Sequence, residues 1–378
     1  MTIFEEEIQA QGSVFEALTT TYWSSLDTEH KALRRVSEKR QLVVFTGMGS
    51  SLSAVDYALP LLRRAGYPAI AVDASELRDD GWPPILDGAA VIAISQSGKS
   101  KEIVGLIKDA RVIRQFDLFG VVNDPESPLA ELADHMFPML AGPEKASSSK
   151  SFTASQIVMG QIAATLVDDD AQAGDMTQLA TAVGGLIADQ SVTEAAITLR
   201  TAPSLLIIAR GPAISTAKYG ALLVKESAAV HAEAASIGDF LHGPIELTRV
   251  PVGIVLLSLE TAHFEVDTDL VNRFVEEQVP IWMITTAGNR PSVDERAVVT
   301  HLPILDDPMI PIAASVLMQT FTAAFSRLCG REPGVFTAFS RADTEVSPQL
   351  LSNTHATHPT ATDGSTQRTE KEAEHGTD

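Results

Sequence analysis

Short apolar runs recur along the chain at near-regular intervals. QLVVFTG (41–47), PAIAVD (68–73), AAVIAIS (89–95), DLFGVVN (117–123) and HMFPML (135–140) are rich in β-branched and aliphatic residues and bounded by Gly, Asn, Asp or Ser. That is the pattern of strands covered on both faces. The segments between them have helical length. One follows Gly47-Met48-Gly49-Ser50-Ser51 and places Leu52, Val55, Leu59 and Leu62 on one helical stripe. Strand–helix alternation of this kind predicts an α/β protein with a doubly wound parallel sheet. A second series opens at SLLIIARG (204–211), continues through PVGIVLLSL (251–259) and PIWMITT (280–286), and closes on an apolar helix at about 309–328. FTASQIVMGQIAATL (152–166) predicts a buried helix, and KYGALLVKESAAV (218–230) a largely apolar helical stretch.

The division expected from this pattern is an N-terminal helical segment (1–35), a first α/β unit (36–170), a connector (171–200), a second α/β unit (201–345) and a tail (346–378). Ile3, Ile8, Val14, Leu18 and Trp23 are loosely spaced for one face of the opening helices. The tail is poor in apolar residues and is expected to be disordered. The two units begin alike: VFTGMGSSLSA (44–54) and IIARGPAISTAK (207–218) both run from a strand through glycine to a serine four positions on, Gly47 to Ser51 and Gly211 to Ser215. An internal duplication would produce that.

Charge narrows the partners. Twenty-eight basic against 49 acidic side chains give a net charge of −21, which repels phosphate backbones and argues against nucleic-acid binding. An anionic ligand must then be held locally, by aimed backbone N–H groups and hydroxyls. The single cysteine, Cys329, excludes an intramolecular disulfide and a cysteine zinc cluster and suits a reducing, cytoplasmic setting. Glu5, Glu6 and Glu7 stand where a secretory signal carries basic residues. The longest apolar runs, such as 252–257 and 310–318, fall short of the ~20 residues of a bilayer span, so no membrane partner is expected. The nine histidines form no HxH or HExxH group, and no metal is expected.

Three loops carry candidate chemistry. Gly49, Ser50 and Ser51 follow the first strand and open a helix, where unpaired N–H groups converge on an anion. A dinucleotide fingerprint would need glycine at position 52, where Leu52 stands, although Asp73 ends the next strand suitably. The third strand ends in Ser95-Gln96-Ser97-Gly98-Lys99-Ser100, with three hydroxyls and an amide around a glycine. An ordinary turn with a serine N-cap accounts for that segment alone. It does not account for the second hydroxyl-rich loop, Ser147-Ser148-Ser149-Lys150-Ser151, before the next helix.

SQSGKS after a strand, the GMGSS loop, Ser75-Glu76 after the second strand and SSSKSFT resemble the sugar isomerase (SIS) domain. Lys225-Glu226-Ser227, His231-Ala232-Glu233-Ala234 and His242-Gly243-Pro244 extend the likeness to double-SIS proteins, over approximately 35–345. These are the isomerase module of glucosamine-6-phosphate synthase, stand-alone hexosamine-6-phosphate deaminases and Amadori deglycases. The resemblance implies two doubly wound SIS subdomains of flavodoxin-like, three-layer form, and a phosphosugar ligand with no cofactor. Phosphate would be bound by Gly49, Ser50, Ser51, Ser95, Gln96, Ser97 and Ser100, with Ser148 closing over the sugar. Glu226 matches the family's proton-transferring base and His242 its ring-opening residue, 16 positions apart as in the family. In the family that histidine enters from the other subunit, which implies a homodimer.

Helix position alone equally allows Glu226 to pair with Lys225 or face solvent, and His242 to be structural. His231 is expected to pack or to contact a neighbouring subunit. The synthase's glutaminase domain begins with a catalytic cysteine, and no cysteine precedes Cys329 here. A family lysine two residues before Lys225 is Leu223, and the C-terminal loop that carries another offers Arg341, which cannot form a Schiff base. Three functions follow in order: a deaminating isomerase of an amino-sugar 6-phosphate, a deglycase of a phosphorylated Amadori compound, and a phosphosugar sensor.

Overall fold

The computed structural model describes residues 1–338 apart from 20–21, 23–24, 82–83, 170–175 and 289–291. Trp23, Arg341 and the tail from 346 lie outside the described residues. Among the described residues the chain opens with α1 (Ile3–Gln9), α2 (Gln11–Ala17) and α3 (Asp27–Glu38). The first sheet contains β1 (Val43–Gly47), β2 (Ala69–Asp73), β3 (Ala90–Ser95), β4 (Asp117–Val122) and β5 (His135–Pro138), all parallel, in the order β2-β1-β3-β4-β5. Its helices are α4 (Gly49–Arg64), α5 (Ala74–Asp79), α6 (Lys101–Ile113), α7 (Pro128–Leu132) and α8 (Lys150–Val167). Every residue of β1 and β3 is buried, which is why their sequences lack the alternation of a one-sided sheet.

After α9 (Thr177–Ile187) and α10 (Gln190–Leu199) the second sheet is built from β6 (Ser204–Ala209), β7 (His231–Ser236), β8 (Gly253–Ser258), β9 (Ile281–Thr286) and β10 (Val298–Leu302). Its helices are α11 (Ala213–Ala228), α12 (Ile237–Leu241), α13 (Phe264–Glu276) and α14 (Ile310–Leu328). The order β10-β9-β8-β6-β7, read from β7, repeats the permutation of the first sheet. Two strands were not foreseen, and both are edges. β7 is His-Ala-Glu-Ala-Ala-Ser, without a β-branched or aromatic residue, and exposes His231 and Glu233. His231 thus belongs to an edge strand. β10 is five residues long with alternating burial.

One apolar core runs through both halves, including Phe45, Val55 and Ile157 from the first and Ile207, Val224 and Phe321 from the second. One polar network crosses it: Gln156 on α8 donates to Ser215 on α11 (3.1 Å) and accepts from Ser315 on α14 (3.0 Å). Ser215, the duplicate of Ser51 in sequence, is therefore spent on packing helices rather than facing a ligand. α14 with its preceding turn corrects the expectation about apolar length, since 307–328 is long and apolar enough to cross a bilayer. Yet 83% of that apolar window is buried inside the protein, as in a core helix.

Candidate functional site

In the order β2-β1-β3-β4-β5, β1 leads through α4 to one neighbour and β3 leads through α6 away from it. The chain thus reverses direction across the sheet between β1 and β3, and the crevice beyond their carboxyl ends is where open α/β sheets bind ligands. Register places Gly47 beside both Asp73 and Ile94, so the GMGSS and SQSGKS turns leave the sheet at one level. Glycine is required at the first turn: a Cβ on Gly47 would stand 3.2 Å from the Ile94 carbonyl oxygen and from the Leu52 nitrogen, and Gly49 has φ +52°. The N-termini of α4, carrying half-buried Ser50 and Ser51, and of α6, behind Ser100, open into this crevice.

The hydroxyls divide the work. Ser95 is buried, its Oγ accepting from Gly98 N (3.1 Å) and lying 3.1 Å from Ser100 Oγ, so it holds the turn in shape. Ser97 Oγ accepts from Lys99 N (3.2 Å), and Lys99 pairs with Asp124 at 2.9 Å. Gln96, Ser97 and Lys99 line a pocket of about 460 Å³ together with Pro143, Glu144 and Lys145.

The second hydroxyl loop lies against the first turn: Ser50 Oγ donates to Ser148 Oγ at 3.2 Å. Ser149 and Ser151 turn inward instead. Their hydroxyls and backbone N–H groups all donate to Glu144, whose buried carboxylate sits at the N-terminus of α8. That terminus is closed to a ligand. Ser147 Oγ is buried without a hydrogen-bond partner among the described residues. Glu144 escaped sequence reasoning because a lone glutamate after Gly-Pro carries no motif; its sole signal was a position five residues before a serine that caps a buried helix.

α11 joins Glu226 to this cradle. Tyr219, Leu222 and Glu226 fall at i, i+3 and i+7, on one helical face. Tyr219 OH donates to the Ser148 carbonyl oxygen at 2.5 Å, and its ring stacks on Phe152 with centroids 3.7 Å apart. A Cβ on Gly49 would meet Leu222 at 3.7 Å. Burial, reinforced by the negative charges of Glu144 and Glu226, holds the Tyr219 phenol far above its ordinary pKa, so it remains a donor. Glu226 is half-buried while Lys225 is exposed.

Leu223, at the family's lysine position, is buried in an apolar cluster with Phe4, Phe152 and Tyr219. The segment after α14 returns to the same place: Ser147 N donates to Gly334 O (3.0 Å) and Gly334 N to Ser227 Oγ (3.3 Å). Arg341 follows seven residues later, outside the described residues. No hydrogen bond or ion pair among the described residues brings His242 to the cradle. It caps the short α12, is exposed, and its imidazole has no hydrogen-bond partner among the described residues.

A family model described as SIS domain matches residues 36–166. Over 305 residues the chain is 29% identical to the glutamine–fructose-6-phosphate aminotransferase (isomerizing) of Pyrococcus horikoshii, covering 78% of this chain and 50% of that protein. The chain spans about half the length of the curated relatives it matches. Among solved structures, the C-terminal domain of glucosamine-fructose-6-phosphate aminotransferase from Francisella tularensis superimposes with a TM-score of 0.73 at 19% identity, over 88% of this chain and 98% of that one. Glucosamine-6-phosphate deaminase from Thermotoga maritima gives 0.70 at 15% identity, over 90% and 99%. These structures share the fold. The match identifies a SIS domain in residues 36–166, and the strand order of that domain's sheet is repeated in the second sheet.

Proposed function

We propose that the chain is a phosphosugar isomerase of the deaminating type, converting glucosamine 6-phosphate to fructose 6-phosphate and ammonia in the cytoplasm. The observation that carries this reading is the link from Glu226 through its helix face to Tyr219, and from Tyr219 to Ser148 and Ser50. It supports a carboxylate on the helix that contacts a cradle of hydroxyls and helix N-termini suited to a phosphate. With the sugar open, Glu226 takes the C2 proton and returns it to C1, leaving an imine at C2. Water then hydrolyses the imine, releasing ammonia and the ketose. Cys329 does not supply a glutaminase thiolate: burial raises its pKa and favours the thiol.

Ring opening is assigned to His242 of a second copy. Its imidazole stands exposed in a stretch that also exposes Leu241, Leu247 and Val250, apolar side chains that a homodimer would cover. A Glu226→Gln and a His242→Ala protein, each inactive alone, should regain turnover when refolded together, since one site of the mixed dimer then has both groups. Mixtures that stay inactive while forming dimers would remove His242 from the reaction.

The ligand is tested first by thermal shift against a phosphosugar panel. A ligand at about 100 times its Kd stabilises the native state by about 2.7 kcal/mol. Glucosamine 6-phosphate should raise the melting temperature and release ammonia. Binding with release of an amino acid from a fructosamine 6-phosphate would move the assignment to deglycation, where the apolar Leu223 in place of a lysine is no handicap. Binding without turnover would make the chain a sensor, and no response to any phosphosugar would sink the reading.

A further inference from the structure

The loop that presents Ser148 has no regular structure, yet its backbone is fastened residue by residue. Glu7 of α1 receives Lys145 N on one carboxylate oxygen (2.6 Å) and Ala146 N on the other (3.4 Å). Ser147 N goes to Gly334, the Ser148 carbonyl accepts from Tyr219, and Ser149 N goes to Glu144. The Ser149 carbonyl accepts from Gln319 of α14 (3.1 Å), which also accepts from Gln11 of α2 (2.8 Å), and Gln11 in turn accepts from Thr153 (2.8 Å). The N-terminal helices are thus the back wall of the hydroxyl loop. α1 is itself anchored: Glu5 forms a double hydrogen bond with Arg327 of α14, which holds the Glu5 carboxyl down at about 2.

We infer that Glu7 is a positioning residue for phosphosugar binding, its buried carboxylate holding the 145–149 loop so that Ser148 faces Ser50 and the sugar. Glu7 is 7% exposed; burial raises its pKa and the Lys145 and Ala146 N–H groups act against that rise, so these two loop amides are what favour the charged carboxylate there. Two adjacent N–H groups aimed at one side chain can both be satisfied by a carboxylate. A glutamine has one acceptor oxygen and presents its NH2 group to the second donor. Charge-assisted bonds of this type are about twice as strong as neutral ones. Because the loop touches the ligand while Glu226 stands on α11, loosening the loop weakens binding more than it slows the proton transfer.

The inference rests on the function proposed above. Its test is Glu7→Gln, close in size to the native residue, in the full chain. The expected result is a KM for glucosamine 6-phosphate raised about tenfold with kcat within about twofold of the native value. Amide hydrogen exchange at Lys145 and Ala146 should quicken while that of β3 stays unchanged. A variant that merely melts earlier, with native KM at temperatures where it is folded, overturns the inference whether or not exchange quickens. So does a raised KM with native exchange at both amides. Glu7→Ala, which removes both acceptors, should shift both readouts further in the same direction. If the native protein bound no phosphosugar, the proposed function would fall, and the exchange measurement would still decide whether Glu7 clamps the loop.

Discussion

Glu226→Gln should lower kcat for glucosamine 6-phosphate deamination about 10³-fold, the scale of a lost general base, while the ligand-induced thermal shift stays near the native one. The amide matches the carboxylate in shape, and Glu226 stands beyond the turns assigned to the phosphate, so the fold and the cradle have no reason to change. The effect is large because the neighbouring carboxylate is already committed. Glu144 is the second carboxylate that acts on Tyr219, but Ser149 and Ser151 already supply its oxygens with backbone and hydroxyl donors. Diverting it would break bonds to a charged group, each worth about 1.5–3 kcal/mol, and uncap the buried α8. Steady-state kinetics and ligand-dependent melting on one preparation check both halves of the expectation. Turnover within tenfold of native would remove Glu226 as the base.

Much of the fold was legible because the sheets are parallel and covered on both faces, so β1, β3, β6, β8 and β9 announce themselves as continuous apolar runs. β7 and β10 were invisible for the opposite reason. Edge strands need one buried face at most, and β7 is held by its backbone pairing with β6 and its packing on α11, neither of which leaves a mark in His-Ala-Glu-Ala-Ala-Ser. At the site, the serine turns stood out by composition, but which hydroxyls face outward did not. Ser95 and Ser149 belong to the same motifs as Ser97 and Ser148, yet their hydroxyls are consumed internally.

Glu7 and Glu144 were harder still. Each acts from a distance in sequence or without a neighbouring motif, 138 positions separating Glu7 from Lys145. A buried carboxylate that serves as an acceptor for loop N–H groups looks, along the chain, like any surface glutamate. Glu7, Glu144 and Glu226 therefore differ by their surroundings: Glu7 and Glu144 are occupied by backbone donors, and Glu226 is half-buried on the helix that faces the hydroxyl loop.

Gly98→Ala should abolish the phosphosugar-induced thermal shift, with affinity falling about 100-fold. Gly98 has φ +61°, and a Cβ there would lie 2.0 Å from Ser127 Oγ and 2.4 Å from Ser127 Cβ. Ser127 cannot yield, being fully buried at the N-cap of α7 with its hydroxyl accepting from Ala130 N. The turn must move instead, and Leu129 N, which donates to Gly98 O at 3.0 Å, ties that movement to α7 as well. Gln96 and Ser97 would be carried away from the α4 N-terminus, across a distance that hydrogen bonds to a phosphate do not span. Gly88→Ala separates this from backbone strain. Gly88 has φ +71° with nothing within 4 Å of its Cβ, so it bears a left-handed penalty of about 1–2 kcal/mol at the opposite end of β3. Both variants should melt earlier than the native protein, but Gly88→Ala should keep its full response to glucosamine 6-phosphate. An equal response from Gly98→Ala would show that the SQSGKS turn does not hold the phosphate, and the anion would then have to be sought at the α4 N-terminus alone.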